Sequence, residues 1–184
     1  MTLSKTTNKY IFLDRDGTII EDRGYIHKIK DLKFLPGAIK GLKKLQKNGY
    51  RFIIISNQAG IARGLYSLKD AETLNRALKA RLAKSGVKIK NIYLCPHHPE
   101  FTGKCLCRKP EPGLAKLASK EFKINLRKSI FIGDKDCDIE LGKNCGGKTF
   151  LIDNGQYETS LAPDHKVKDL EEIHELLKKQ SPRS

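Results

Sequence analysis

Tyr10-Ile11-Phe12-Leu13-Asp14-Arg15-Asp16-Gly17-Thr18 opens with a continuous apolar run that stops abruptly at a carboxylate. An unbroken run of this length suits a strand buried on both faces, as in a parallel sheet. The same signature returns at Arg51-Phe52-Ile53-Ile54-Ile55, at Ile89 to Leu94, at Ser129-Ile130-Phe131-Ile132 and, briefly, at Thr149-Phe150-Leu151-Ile152. Helical patterns separate these runs. Ile39, Leu42 and Leu45 recur at helical spacing after Pro36-Gly37 and stop at Asn48-Gly49; Ser67 is placed to cap a helix reaching about Ser85-Gly86; and Pro112 opens another. Strands alternating with helices predict an α/β fold: a three-layer, Rossmann-like parallel sheet with helices on both faces. No insertion is long enough for a large cap domain or a linker, so residues 1–184 read as one domain. The tail from about Asp153 is polar until Leu170, Ile173, Leu176 and Leu177, a helical pattern expected to dock back.

A chain of 184 residues with 39% hydrophobic and 31% charged residues has enough apolar material for a core and ample solvated surface. No stretch approaches the roughly 20 apolar residues of a membrane helix, and Met1 to Lys9 lacks an apolar signal core. A cytoplasmic protein without membrane contact, and a monomer, is the expectation. The net charge of +15 raises the question of nucleic acid, but the lysines are scattered, with Lys40, Lys43, Lys44 and Lys47 along one solvated helix face. A field that attracts an anionic small molecule is the favoured reading over a nucleic-acid-binding module.

In parallel sheets ligands bind outside the carboxyl ends of the strands, where the polar clusters Asp14 to Thr18, Ser56 to Gln58 and Asp134 to Asp138 fall. Two carboxylates two residues apart allow one to attack phosphorus while the other handles protons, with Asp14 as nucleophile and Asp16 as acid and base. An anionic nucleophile facing phosphate needs counter-charge. Asp14, Asp16 and Asp134 are hard oxygen ligands suited to Mg²⁺, Lys109 and Lys135 supply fixed positive charge, and the Ser56 hydroxyl and nearby amides suit phosphate oxygens. An isolated Asp-x-Asp-Gly is otherwise only a polar turn. The later Ser-Asn, Lys-Pro and Gly-Asp-Lys-x-x-Asp, in order at strand or loop ends, argue against that reading.

With these four segments in order, the sequence resembles the haloacid dehalogenase superfamily of phosphatases. Ile11 to Thr18 resembles its first motif, Ser56-Asn57-Gln58 the second, Arg108-Lys109-Pro110 the third and Gly133 to Asp138 the fourth. The resemblance implies Asp14 as nucleophile, Asp16 as acid/base, Ser56 and Lys109 as phosphoryl-stabilising groups and Asp134 as a magnesium ligand, with Asp138 beside the ligands. Glu21 to Ile26, Asn57 to Gly64 and the Cys/His loop resemble the histidinol-phosphatase-like branch, over about residues 9 to 155. By that likeness a small phosphorylated sugar would contact Asp22, Arg23, Gly24, Tyr25, Ser56, Asn57, Gln58, Ala59, Arg108, Lys109 and Lys135. Histidinol phosphate is the competing substrate. Ala59 stands where Ser is frequent, and the loop between His98 and Cys105 is short.

Cys95, one of His97 or His98, Cys105 and Cys107 form a four-ligand set of the type that holds zinc in a closed structural site. The branch likeness selects His97. Cys137 and Cys145 read as ordinary buried thiols, and His27, His165 and His174 as locally satisfied. Arg63 lies near the second motif without an assigned role.

Overall fold

The computed structural model describes residues 9–180; the Met1 to Lys9 stretch read for a signal core falls almost wholly outside them. The strands are β1 (Lys9–Leu13), β2 (Tyr50–Asn57), β3 (Ile89–Cys95), β4 (Ile130–Gly133), β5 (Lys148–Ile152) and β6 (His165–Val167). They form one parallel sheet in the order β3-β2-β1-β4-β5-β6. The longer helices are α1 (Ala38–Lys47), α3 (Leu68–Lys84), α5 (Gly113–Phe122), α6 (Asp136–Asn144) and α7 (Leu170–Gln180), with single turns α2 (Ala59–Ala62) and α4 (Pro99–Thr102) between them. The expected α/β architecture is present. Among the described residues no helix is long and apolar enough to cross a membrane.

Apolar side chains of each strand divide between the two faces because successive residues point opposite ways. Ile11 and Leu13 of β1, with Phe52 and Ile54 of β2, join Leu42 and Leu45 of α1, Leu74 and Leu78 of α3, and Ile173 of α7. Tyr10, Phe12, Ile53 and Ile55 face Ala115 and Ala118 of α5 and Leu141 of α6 on the other side. There Phe12 stacks on Phe131 with centroids 4.8 Å apart. This double burial explains the unbroken apolar runs. At Gly41 the backbone of Leu170 comes so close that an added Cβ would lie 2.5 Å from it, so α7 docks tightly on α1.

Ser67 caps α3 as expected, in a capping box with Asp70. The sixth strand was not anticipated. His165-Lys166-Val167 is short and only Val167 is buried, so it lacks the apolar run that marked the others. Its ladder with β5 supplies the edge pairing.

β2 and β3 lie on one side of β1 and β4 to β6 on the other, so the connectivity reverses between β1 and β4. Such a reversal opens a crevice at the carboxyl ends, and Asp14 and Asp134 both follow the strands that border it.

Candidate active site

Asp14 leaves β1 still held to the sheet, its amide donating to the Ile132 carbonyl at 2.9 Å. The chain then turns sharply at Gly17, whose φ of +79° places it in the left-handed region. A Cβ on Gly17 would sit 1.9 Å from Asp134 Oδ2, so only glycine lets the loop lie against that carboxylate. Asp14, Asp134 and Asp138 are all buried, and one carboxylate oxygen of each lies within 4.8 Å of the others. Lys109 Nζ donates to Asp14 Oδ1 and to Asp138 Oδ1, both at 2.5 Å. Burial works against the Lys109 ammonium, but Asp138 and Asp14 outweigh it and raise its pKa, which keeps it charged.

One cation among three carboxylates leaves an excess of negative charge. Asp134 carries the consequence: both its oxygens are buried without a hydrogen-bond partner. Burial, with Asp14 and Asp138 adding, pushes its pKa up to about 8. An unpaired buried carboxylate costs several kcal/mol, and three hard oxygen donors fit a small divalent cation, which would remove that cost.

Asp16 does not join this cluster. Its carboxylate accepts from Arg15 Nε and NH2 and from Gln58 Nε2, which departs from the expectation of a third metal-binding side chain. Arg15 is fully buried, an uncommon state for a guanidinium. It reaches Asn75 at 2.9 Å, Gln58 Oε1 at 3.0 Å and the Ile26 carbonyl at 3.2 Å. Burial raises the Asp16 pKa despite the opposing Arg15 charge.

A cavity of about 350 Å³ opens over these groups. Asp14, Asp16, Asp22, Gly24, Tyr25, Asn57, Gln58, Ala59, Arg108, Lys109 and Lys135 line it. Two expected contacts do not. Arg23 turns outward to Glu21, and the Ser56 hydroxyl is buried behind Gln58, accepting from its Nε2 at 2.7 Å. Tyr66, Cys137, Asp138 and Tyr157 complete the lining. Cys137 is therefore a half-buried pocket thiol, not the ordinary core thiol expected, because the first turn of α6 faces the crevice; Cys145 is in the core. The Asn57 amide fixes the third motif, donating to the Lys109 carbonyl at 3.1 Å and accepting from the Lys109 amide at 3.0 Å.

Beside the pocket, Cys95, His97, Cys105 and Cys107 bring their ligand atoms within 4.8 Å of one another. The Cys95 and Cys107 sulfurs are 3.1 Å apart, and His97 Nδ1 is 3.2 Å from Cys107 Sγ. The three cysteines are free thiols, and with His97 they make the thiolate and imidazole donor set that suits zinc. His98 turns away and packs its ring edge-on against Phe101. The other histidines are locally engaged: His27 stacks on Tyr66, His165 packs on Phe150, and His174 pairs with Glu175. Arg63 lies over the Phe101 ring and outside the pocket lining.

Residues 9–171 match the family model for polynucleotide kinase 3 phosphatase. The D-glycero-alpha-D-manno-heptose-1,7-bisphosphate 7-phosphatase of Photorhabdus laumondii is 44% identical over 153 residues, spanning 80% of this chain and 84% of the relative. A Helicobacter pylori D-glycero-beta-D-manno-heptose-1,7-bisphosphate 7-phosphatase is 41% identical over 176 residues, covering 94% and 99%. The crystal structure of D,D-heptose 1,7-bisphosphate phosphatase from B. bronchiseptica, complexed with magnesium and phosphate, superposes with a TM-score of 0.83 at 25% identity, covering 94% of this chain and 99% of that one. Sequence identity over nearly the whole chain, on a shared fold with the acidic crevice at its switch point, means that this chain belongs to the heptose-1,7-bisphosphate 7-phosphatase family of haloacid-dehalogenase-like phosphatases.

Proposed function

We propose that this protein removes the C7 phosphate of D-glycero-D-manno-heptose 1,7-bisphosphate, giving heptose 1-phosphate and orthophosphate through an aspartyl-phosphate on Asp14. The observation that carries this reading is the buried Asp14–Lys109 pair beside the unpartnered Asp134 carboxylate, at the floor of an open pocket. Its identity with relatives of that name supports the substrate. In the first step an Asp14 oxygen bonds to phosphorus as the bond to the sugar oxygen breaks, and the Asp16 carboxyl gives its proton to that oxygen. In the second, Asp16 takes a proton from water, whose oxygen attacks phosphorus and frees Asp14. Lys109 holds Asp14 in place and offsets charge on the phosphoryl oxygens.

Magnesium, held by Asp14 and Asp134, would supply the positive charge that lets a phosphate dianion approach Asp14. Zinc, held by Cys95, His97, Cys105 and Cys107, would have no open position and would serve to order the loop ending at Arg108. The test of the reaction is orthophosphate release from heptose 1,7-bisphosphate, with the sugar product identified by mass and phosphorus NMR. Heptose 1-phosphate as product is expected; preference for histidinol phosphate would replace the substrate reading.

Two variants test the roles. Asp16→Asn should slow turnover by about 10²-fold or more, since no proton reaches the leaving oxygen; an unchanged rate removes Asp16 from the mechanism. Arg108, whose NH1 donates to the His97 carbonyl at 3.1 Å, lines the pocket beside Lys109. A guanidinium matches the remote phosphate bidentately, and a bond to a charged group contributes about 1.5–3 kcal/mol. Arg108→Ala should therefore lower kcat/KM for the bisphosphate by about 10- to 150-fold, with a much smaller loss on p-nitrophenyl phosphate. Equal losses on both would place Arg108 at the reacting phosphate.

A further inference from the structure

Asp22, which the sequence places among the substrate contacts, is already engaged within the protein. Oδ1 accepts the Gly24 amide at 2.9 Å, while Oδ2 accepts both Lys135 Nζ and the Tyr157 hydroxyl at 2.8 Å. Its backbone carbonyl accepts Gln156 Nε2 at 2.9 Å. Lys135 Nζ also lies 4.2 Å from the Tyr157 ring centroid, a cation–π distance. Three segments far apart in sequence thus converge on one carboxylate. The bond to the Gly24 amide closes an Asx-type turn. Both residues that this turn presents to the pocket, Gly24 and Tyr25, have positive φ, at 75° and 51°. For tyrosine that conformation is uncommon and persists only where the surroundings hold it.

The loop bearing Tyr157 is itself anchored. Asp136, the first residue of α6, accepts the Ser160 amide at 3.0 Å, the Ser160 hydroxyl at 2.7 Å and the Leu161 amide at 3.1 Å. Tyr157 lines the pocket with Asp14 and Lys109, and Gln156 beside it is tied to the Asp22 carbonyl.

We propose that Tyr157 is a positioning residue for substrate specificity: acting through Asp22, it holds the Gly24–Tyr25 turn and Lys135 in the arrangement that grips the part of the sugar phosphate remote from the reacting phosphorus. The inference rests on the sugar-phosphate reading for its substrate. A carboxylate already shared by a cation, a phenol and a main-chain amide orders the wall and leaves recognition to the groups it orders. Removing the phenolic hydroxyl breaks one link and keeps the ring over Lys135.

Tyr157→Phe is expected to raise KM for the sugar bisphosphate by about 10-fold or more with kcat within about two-fold, as befits one hydrogen bond to a charged group. The ratio of kcat/KM for the bisphosphate to that for p-nitrophenyl phosphate should fall by the same factor. Equal losses on the two substrates, or wild-type kinetics on both, would overturn the assignment. Amide hydrogen exchange without substrate gives an independent reading of the tether: the Gly24 amide should exchange several-fold faster in Tyr157→Phe, and unchanged exchange would overturn it. If the wild type fails on heptose bisphosphate while exchange responds, the substrate reading falls and the tether stands.

Discussion

Replacing Asp14 with asparagine should reduce turnover by about 10⁴-fold or more while leaving the fold intact. The amide has nearly the shape of the carboxylate but is a poor nucleophile, and no other carboxylate is placed to substitute. Asp134 and Asp138 follow β4 and share the cluster, but both oxygens of Asp138 are engaged, by Lys109 Nζ and by the Lys135 amide, and Asp134 is absent from the pocket lining. Nor should the variant unfold. Asp14→Asn removes one charge from a crowded group of three, and Lys109 retains Asp138 as its partner. Like charges about 4 Å apart repel by roughly 4 kcal/mol at an effective dielectric near 20, so Tm is expected to hold or rise. The measurement pairs orthophosphate release with thermal unfolding. Turnover near the wild-type rate in a folded variant would exclude the covalent route; lost turnover with collapsed Tm would show instead that the Asp14–Lys109 pair is chiefly structural.

What could be read from the sequence follows from how local its physical cause is. The β1 run and the carboxylate ending it needed only neighbouring residues, so both the strand and the position of Asp14 were legible. Asp16 was legible as a site residue but not as a side chain turned away from the acidic cluster. Its orientation depends on Arg15, and nothing local announces that a guanidinium will be buried completely by Asn75 and Gln58, which lie 60 and 43 residues away. Tyr157 gave no signal either. It lies in a polar stretch without periodicity, and it meets Asp22 across 135 residues only because β5 and β6 bring the intervening loop back over the crevice. Asp138 is intermediate: its spacing from Asp134 was visible, whereas its bonds to Lys109 and to the Lys135 amide required the start of α6 to be in place.

Removing one thiolate of the Cys/His cluster, as in Cys105→Ser, should abolish zinc binding and lower kcat/KM for the sugar bisphosphate by about 10- to 100-fold, the effect expected if Arg108 loses its fixed position. The segment between Cys95 and Arg108 has little apolar burial to order it: Phe101 and Leu106 are 52% and 79% exposed. Metal binding in small fingers supplies an apparent ~10–16 kcal/mol of folding free energy, enough to replace a missing core. The loss should be uneven across the third motif. Arg108 depends on the loop through its bond to the His97 carbonyl, whereas Lys109 is clamped by Asn57 at the end of β2 and paired with Asp14 and Asp138. Hydrolysis of p-nitrophenyl phosphate, which needs Lys109 but has no remote phosphate, should therefore suffer less than hydrolysis of the bisphosphate. Elemental analysis of protein purified without chelator should find one zinc per wild-type chain and none in Cys105→Ser. No zinc in the wild type would refute the staple, and equal kinetic losses on both substrates would mean that the metal supports the whole crevice and not Arg108 in particular.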